Sequence, residues 1–193
     1  MSFMKNSLVV LLVLYFTACA LQTNDKSSEK SEKFAFSFSE KYSGLEKNRT
    51  FQWLGIPYAQ APVGSLRWKA PRSLENENDQ VKAIEFSNPC PQVESISIDK
   101  KGEGEFLGSE DCLFLNIFAP KNISSDKKLP VMFWIHGGGN TSGEAGSYDF
   151  SKLAAAHDLV IVSINYRLGF LGWFYHPSFA ATSNDQGDKS VNF

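Results

Sequence analysis

Three consecutive glycines, Gly137, Gly138 and Gly139, follow His136 and a run of apolar residues at positions 131–135. A residue without a Cβ lets its backbone N–H turn toward a ligand oxygen at hydrogen-bonding distance. N–H groups arranged in this way stabilise the negative charge that develops on a carbonyl oxygen during acyl transfer. The pattern is therefore typical of an oxyanion hole.

An oxyanion hole works together with a nucleophile, a general base and an acid. Later in the sequence than a glycine run of this kind, the nucleophilic serine is expected in a Gly-x-Ser-x-Gly turn. An acidic residue and then a histidine are expected after that serine. No such turn occurs up to Phe193. Ser142 and Ser147 follow the glycines without that context, and we interpret them as loop residues.

The composition predicts a folded domain that does not bind nucleic acid. Hydrophobic residues make up 42% of the 193 residues, which is enough to bury a core. The net charge is -2, and the lysines are scattered among glutamates, so no basic surface is expected for a nucleic-acid partner. The cysteines have no histidine or second thiol at metal-ligand spacing, and no metal or other cofactor is predicted.

The first 18 residues have the pattern of a signal peptide of the lipoprotein type. Lys5 provides the positive charge, and nine apolar residues follow at positions 8–16. As a helix these would extend about 14 Å, too short to cross a bilayer. Residues 16–19 resemble a bacterial lipobox, in which Cys19 becomes the lipidated N-terminus. Ordinary cleavage after Ala20 is the alternative, and either reading predicts export.

Residues 19–33 are polar and rich in Ser, Lys and Glu, as expected of a tether between a membrane and a folded domain that begins at residue 34. The predicted location is a bacterial membrane, with the lipid at Cys19 as anchor and the domain facing the periplasm or the exterior. Without that lipid the protein would be secreted.

The two remaining cysteines, Cys90 and Cys112, are predicted to form a disulfide, because an exported protein folds in an oxidising environment. This disulfide would close a loop of roughly 20 residues and stabilise the fold by about 3 kcal/mol in the chain-entropy model. Two separate buried thiols are the alternative.

The apolar pattern predicts a βαβ unit around the glycines. Near-continuous apolar runs at residues 131–136 and 159–164 predict strands buried on both faces, and residues 149–157 between them predict a helix with Asp149 or Ser147 as its N-cap. This unit predicts parallel strands with the glycine loop at their carboxyl ends, where α/β sheets bind ligands. Further strands are predicted at residues 34–39, 50–54 and 113–118.

Six blocks in order resemble the type-B carboxylesterase and cholinesterase family of α/β-hydrolases, over about residues 44–193. The blocks comprise residues 51–59, 62–67, 90–92, 109–117, 134–139 and 165–169. The resemblance implies the N-terminal part of an α/β-hydrolase fold, with a mixed, mostly parallel central sheet and flanking helices. On this reading residues 34–193 are an incomplete carboxylesterase domain that stops before the nucleophile turn.

The resemblance also assigns roles to individual residues. The N–H groups of Gly138 and Gly139 would be two of three oxyanion donors, and the third would follow the nucleophile. Arg67 and Glu110 would form a buried salt bridge, and Cys90 would pair with Cys112. Asn140 replaces the aromatic residue that usually follows the glycines, so a more polar pocket wall is expected, with Phe170 and Trp173 as apolar lining.

The function implied is that of an exported serine carboxylesterase acting on small-molecule esters, with the serine, histidine and acid lying downstream. The alternatives are a non-catalytic adhesion or binding relative and a truncated pseudogene product. The 193-residue chain alone is expected to be inactive. It is also expected to expose residues 159–164 as an apolar sheet edge.

Overall fold

A mixed β-sheet forms the centre of the structure, which is a computed structural model describing residues 34–39, 41–75, 80–93, 104–122, 127–174 and 176–178. The predicted signal peptide, Cys19 and the tether lie outside these residues. The described strands are β1 (Phe34–Ser39), β2 (Tyr42–Lys47), β3 (Thr50–Pro57), β4 (Val81–Lys82), β5 (Gln92–Val93), β6 (Phe106–Leu107), β7 (Phe114–Pro120), β8 (Val131–Ile135) and β9 (Val160–Ile164).

The main sheet has the strand order β1-β2-β3-β7-β9-β8, with β4 paired to β2. Among the described strands of this sheet, antiparallel neighbours outnumber parallel ones: the pairs β1 with β2, β2 with β3, β3 with β7 and β7 with β9 are antiparallel. The parallel pairs are β2 with β4 and β8 with β9. Strands β5 and β6 form a separate antiparallel pair.

A two-residue turn at Asn48 and Arg49 joins β2 to β3. Both residues have positive φ, 52° and 62°, as a type I′ turn requires. This turn matches the twist of the flanking strands and sets the register in which Lys47 faces Thr50. The sequence predicted β3 as far as residue 54 but missed β2, because the pattern of Tyr42–Lys47 does not alternate strictly.

The predicted βαβ unit is confirmed. Helix α1 (Ser151–His157) connects β8 to β9, and the two strands are parallel. Asp149 caps this helix from just outside it, since its Oδ1 accepts the N–H of Ser151 at 2.9 Å. Ser147, the other predicted cap, instead donates its hydroxyl to the Glu144 carboxylate. Helix α2 (Gly169–Trp173), which the sequence did not predict, follows β9.

Apolar side chains cover both faces of the sheet. One face carries a cluster that packs against helix α1 and comprises Phe118, Leu54, Ile161 and Ala154. The Phe150 ring packs edge-on against the Phe118 ring, with 5.9 Å between the ring centroids. On the other face Trp53, Ile56, Ala83 and Ala119 form a second cluster. No helix within the described ranges is both long and apolar enough to cross a membrane.

The structure corrects the prediction for the end of the sheet. Strand β8, and not β9, is the edge strand, because the crossover through α1 places β9 between β7 and β8. The prediction that β8 is buried on both faces is also wrong, since Val131, Phe133 and Ile135 are 65%, 56% and 59% exposed. A continuous apolar run does not reveal which of its faces the fold covers.

Candidate active site

The glycine loop, defined here as residues 136–143, begins directly after β8, at the carboxyl ends of the parallel strands. Gly138 and Gly139 have φ of 111° and 61°, and Gly143 has φ of 112°. These values lie in the left-handed half of backbone space, which favours glycine. Asn140 also has a positive φ of 60°, which Asn tolerates better than most residues.

Close contacts explain why two of these positions cannot carry a side chain. A Cβ on Gly138 would lie 1.9 Å from the Ser142 carbonyl oxygen, and a Cβ on Gly143 would lie 2.4 Å from His136 Nδ1. At Gly137 and Gly139 no such clash exists. Gly138 and Gly143 are therefore the points at which the loop packs against itself.

Hydrogen bonds fix the direction of the loop carbonyls. The Gly138 carbonyl accepts the N–H groups of Thr141 and Ser142 at 3.1 and 3.2 Å, and the Thr141 hydroxyl at 3.0 Å. His136 Nδ1 lies 2.9 Å from the Gly137 carbonyl oxygen. Both carbonyls therefore point into the loop.

The N–H groups of Gly138 and Gly139 consequently point out of the loop. In a trans peptide the N–H points opposite to the carbonyl of the preceding residue, and no described peptide is cis. The Gly138 N–H is thus opposite to the Gly137 carbonyl, and the Gly139 N–H is opposite to the Gly138 carbonyl. Neither N–H donates to any group in the described part of the chain, and both residues are exposed.

His136 packs beneath this loop. Its side chain is only 3% exposed and stacks on the Tyr166 ring with a centroid distance of 4.3 Å. The Tyr166 hydroxyl donates to the His136 carbonyl at 2.6 Å. Because Nδ1 faces a carbonyl, which only accepts, the proton of the neutral imidazole belongs on Nδ1. Through these contacts His136 holds the glycine loop against Tyr166.

Two side chains with no role predicted from the sequence hold the far end of the glycine loop and the residues just after it. Asn165 follows β9; its Oδ1 accepts the Ala145 N–H at 2.7 Å, and its Nδ2 donates to the Asn88 carbonyl. Gln92 bonds to both backbone polar groups of Gly143. Both residues lie in blocks that carry the family resemblance, but their type alone does not indicate which backbone groups they would bind.

A cleft of about 390 Å³ lies beside the glycine loop. The residues that line it include Gly139, Asn140, Tyr58, Tyr166, Arg167 and Trp173. The predicted lining by Trp173 is confirmed. Phe170 is not among these residues, and its side chain is 69% exposed. Asn140 contributes a carboxamide to the wall, so the expected polar character is present at this position.

Tyr58 and Arg167 are titratable side chains that line the cleft, and burial shifts the pKa of each. Burial raises the pKa of Tyr58 to about 12, opposed by the nearby Arg167 cation, so its phenol is neutral at physiological pH. The Tyr58 hydroxyl donates to the Asn165 carbonyl at 2.7 Å. Burial lowers the pKa of Arg167 from its high ordinary value, and its Nη1 donates to the Lys69 carbonyl. A guanidinium thus lies in the wall of the cleft and favours negative charge there.

The predicted disulfide is present. Cys90 and Cys112 are bonded, with Cα atoms 5.0 Å apart, and both are buried beside Ala59, Leu113 and Leu168. The disulfide fixes the start of the segment that carries Gln92 to the start of β7.

The predicted salt bridge between Arg67 and Glu110 is also present, with Nε to Oε2 at 2.6 Å and Nη2 to Oε1 at 2.5 Å. The prediction that it is buried is wrong, since the side chains are 41% and 25% exposed. Both residues lie on surface loops, where water screens the pair. Its contribution to stability is therefore expected to be small.

No group of three or more His, Cys, Asp or Glu side chains in the described ranges is arranged to hold a metal ion. The loop, the cleft and the buried arginine instead form a site that can bind an oxygen anion through backbone N–H groups. This is the chemistry that acyl transfer requires of an oxyanion hole.

Comparison with known proteins identifies the family. A sequence model of the Carboxylesterase family matches residues 39–185. The para-nitrobenzyl esterase of Bacillus subtilis strain 168 is 43% identical over 148 residues, covering 75% of this chain and 29% of that protein. Liver carboxylesterase B-1 of Rattus norvegicus is 33% identical over 173 residues, covering 85% and 31%. The chain thus spans less than a third of the length of these relatives.

Solved structures agree with the sequence relatives. A PNB esterase structure has a TM-score of 0.64 and 38% identity, covering 78% of this chain and 31% of that chain. A carboxylesterase from Geobacillus stearothermophilus has a TM-score of 0.62 and 31% identity, covering 79% and 30%. These neighbours confirm the predicted α/β-hydrolase fold. Since the family match covers residues 39–185, the chain belongs to the carboxylesterase family.

Proposed function

We propose that the protein containing this chain hydrolyses carboxylic esters of small molecules through an acyl-enzyme, and that Gly138 and Gly139 supply two oxyanion donors. One observation carries the proposal: the Gly137 and Gly138 carbonyls are held inside the loop, so the next two N–H groups point outward. Family members named for ester hydrolysis, such as the para-nitrobenzyl esterase, support the same reaction class.

In the proposed reaction a serine attacks the ester carbonyl after a histidine removes its proton, and an acidic residue orients the histidine. All three are expected beyond Phe193. As the carbonyl carbon becomes tetrahedral, its oxygen gains negative charge and accepts hydrogen bonds from Gly138 and Gly139. The Arg167 cation in the cleft wall adds favourable electrostatic potential. The intermediate then collapses to the acyl-enzyme as the ester C–O bond breaks and the histidine gives its proton to the departing alcohol. Water, activated by the same histidine, hydrolyses the acyl-enzyme and frees the serine, and no cofactor is required.

The test uses the product of the complete reading frame. We expect it to hydrolyse p-nitrophenyl butyrate and to react covalently with a fluorophosphonate, and peptide mass spectrometry should locate the adduct on a serine in Gly-x-Ser-x-Gly. A folded product that shows neither reaction would refute the proposal and favour a non-catalytic binding relative.

A chain that ends at Phe193 is expected to be inactive in the same assay. It would carry two of the three oxyanion donors but neither the nucleophile nor the base, and donors alone cannot replace that chemistry. Steady ester hydrolysis by the purified 193-residue chain would contradict this expectation.

We also propose export and lipid anchoring at Cys19. In a bacterial host that processes lipoproteins, the complete protein should incorporate an alkyne-labelled palmitate and sediment with membranes. The Cys19→Ala variant should lose both properties, whereas Ala20→Ser should keep them. A wild-type protein that is cleaved after Ala20 and remains unlabelled would show an ordinary signal peptide instead.

A further inference from the structure

The carboxamide of Gln92 makes a two-sided hydrogen-bonded pair with the backbone of Gly143. Its Oε1 accepts the Gly143 N–H at 2.8 Å, and its Nε2 donates to the Gly143 carbonyl at 3.0 Å. The same Nε2 also donates to the Cys90 carbonyl at 3.1 Å. The amide oxygen and the amide nitrogen of Gln92 therefore both bond to the backbone of Gly143, which is 51 positions away in sequence.

Gly143 is the residue through which the glycine loop contacts its own beginning. Its α-carbon lies so close to the loop start that a Cβ would be 2.4 Å from His136 Nδ1 and 2.7 Å from the Gly137 carbonyl oxygen. The preceding Ser142 carbonyl oxygen would lie only 1.9 Å from a Cβ on Gly138. The position of Gly143 thus determines where the Gly137 and Gly138 peptides can lie.

The backbone of Gln92 is also fixed in position. It stands two residues after Cys90, which is buried and disulfide-bonded to Cys112. Cys112 directly precedes Leu113, a core residue, and β7 begins at Phe114. The contact between Gln92 and Gly143 therefore links the glycine loop to a covalently fixed part of the fold.

We propose that Gln92 is a positioning residue for the oxyanion hole: it holds the glycine loop so that the N–H groups of Gly138 and Gly139 point out of the loop toward the substrate oxygen. This inference rests on the proposed esterase function. Gln92 touches neither substrate nor reacting atoms in this role. A displacement of the loop of about 1 Å would suffice to reduce the rate by up to about 100-fold.

The test compares three variants of the complete protein. Gln92→Met keeps the length of the side chain but removes every hydrogen bond. Gln92→Glu keeps the acceptor but places a carboxylate against the Cys90 and Gly143 carbonyls. Gln52→Met is the matched control, because the buried Gln52 also loses two side-chain hydrogen bonds but faces Phe118, nearer the opposite end of the sheet.

We expect both Gln92 variants to lower kcat on p-nitrophenyl butyrate by about 10- to 100-fold with KM unchanged within about two-fold. The affinity for a trifluoromethyl ketone, which forms a tetrahedral oxyanion adduct with the serine, should fall by the same factor. Gln52→Met should keep kcat within about two-fold, even where its thermal midpoint falls.

Three other outcomes would each overturn the proposal, and the measurements distinguish them. If Gln92→Met and Gln92→Glu keep kcat, Gln92 does not position the loop. If kcat falls only in proportion to the loss of folded protein, as in the control, its role is structural alone. If the wild-type protein hydrolyses no ester, the proposed function fails first, and the positioning role fails with it.

Discussion

Replacing Gly138 with alanine is expected to lower kcat for ester hydrolysis by the complete protein by at least about 100-fold, the usual effect of losing one oxyanion donor. Gly138 has φ of 111°, and an added Cβ would lie 1.9 Å from the Ser142 carbonyl oxygen. The loop must therefore move, and the N–H groups of Gly138 and Gly139 turn away from the substrate oxygen. Because these bonds strengthen only in the transition state, KM should change little.

Gly64→Ala is the control for this substitution. Gly64 also has a positive φ, 55°, but an added Cβ there would have no heavy atom within 4 Å, and the residue lies in a short 3₁₀ turn outside the cleft. It should therefore lose some stability through backbone strain and keep kcat. A Gly138→Ala protein that is folded and retains more than about a third of wild-type kcat would exclude Gly138 from the oxyanion hole.

Gly139→Ala refines the test. An added Cβ at this position meets only the Thr141 hydroxyl, at 3.9 Å, so the loop need not move. The remaining penalty is the strain of alanine at φ of 61°, roughly 1–2 kcal/mol. We expect a loss of kcat smaller than that of Gly138→Ala. The ratio of the kcat values of the two variants separates the effect of displacing the loop from the effect of strain within it.

The sequence predicted the βαβ unit and the disulfide because both depend on local or compositional patterns. Apolar runs flanked by glycine and a capped helix are patterns of neighbouring residues in the sequence. The observed bounds of β8, α1 and β9 lie close to the predicted ones. Once Cys19 is assigned to the predicted lipobox, two cysteines remain, and they allow a single pairing. The fold class followed from blocks of several residues in a fixed order.

The order of the strands could not be read in the same way. Strand β9 is the last described strand in the chain, so it was predicted to form the edge, yet it lies inside the sheet. The same limit applies to burial, since the apolar residues of β8 look alike in sequence although Val131 and Phe133 are exposed. Strand position depends on the direction of the crossover, which periodicity does not encode.

The supports of the candidate site were the least predictable part. Gln92 and Asn165 are polar residues in unremarkable sequence contexts, and their partners, Gly143 and Ala145, lie far along the chain. Side-chain bonds to distant backbone groups leave no pattern in the residue types. Only the three-dimensional structure shows that these two side chains hold the far end of the glycine loop, at Gly143 and at Ala145 just after it.

Removal of the disulfide is expected to lower the free energy of unfolding by about 3 kcal/mol, as the chain-entropy model gives for a loop of this size. The two half-cystines are separated by 22 positions, and both are among the most buried residues of the described fold. The double variant Cys90→Ala with Cys112→Ala frees the loop in the unfolded chain and also leaves a small packing defect beside Leu113 and Leu168. The measurement is urea-induced unfolding of the complete protein.

Wild-type protein unfolded in the presence of dithiothreitol is the internal comparison, because it loses the covalent link but keeps the sulfur atoms. If the link constrains the unfolded chain, reduced wild type and double variant should lose nearly the same free energy, and the variant should lose slightly more through packing. A loss below about 1 kcal/mol in both would contradict the entropic account. Since Cys90 also fixes the segment that carries Gln92, the double variant should in addition lower kcat while the protein remains folded, and a purely stabilising disulfide would not do so.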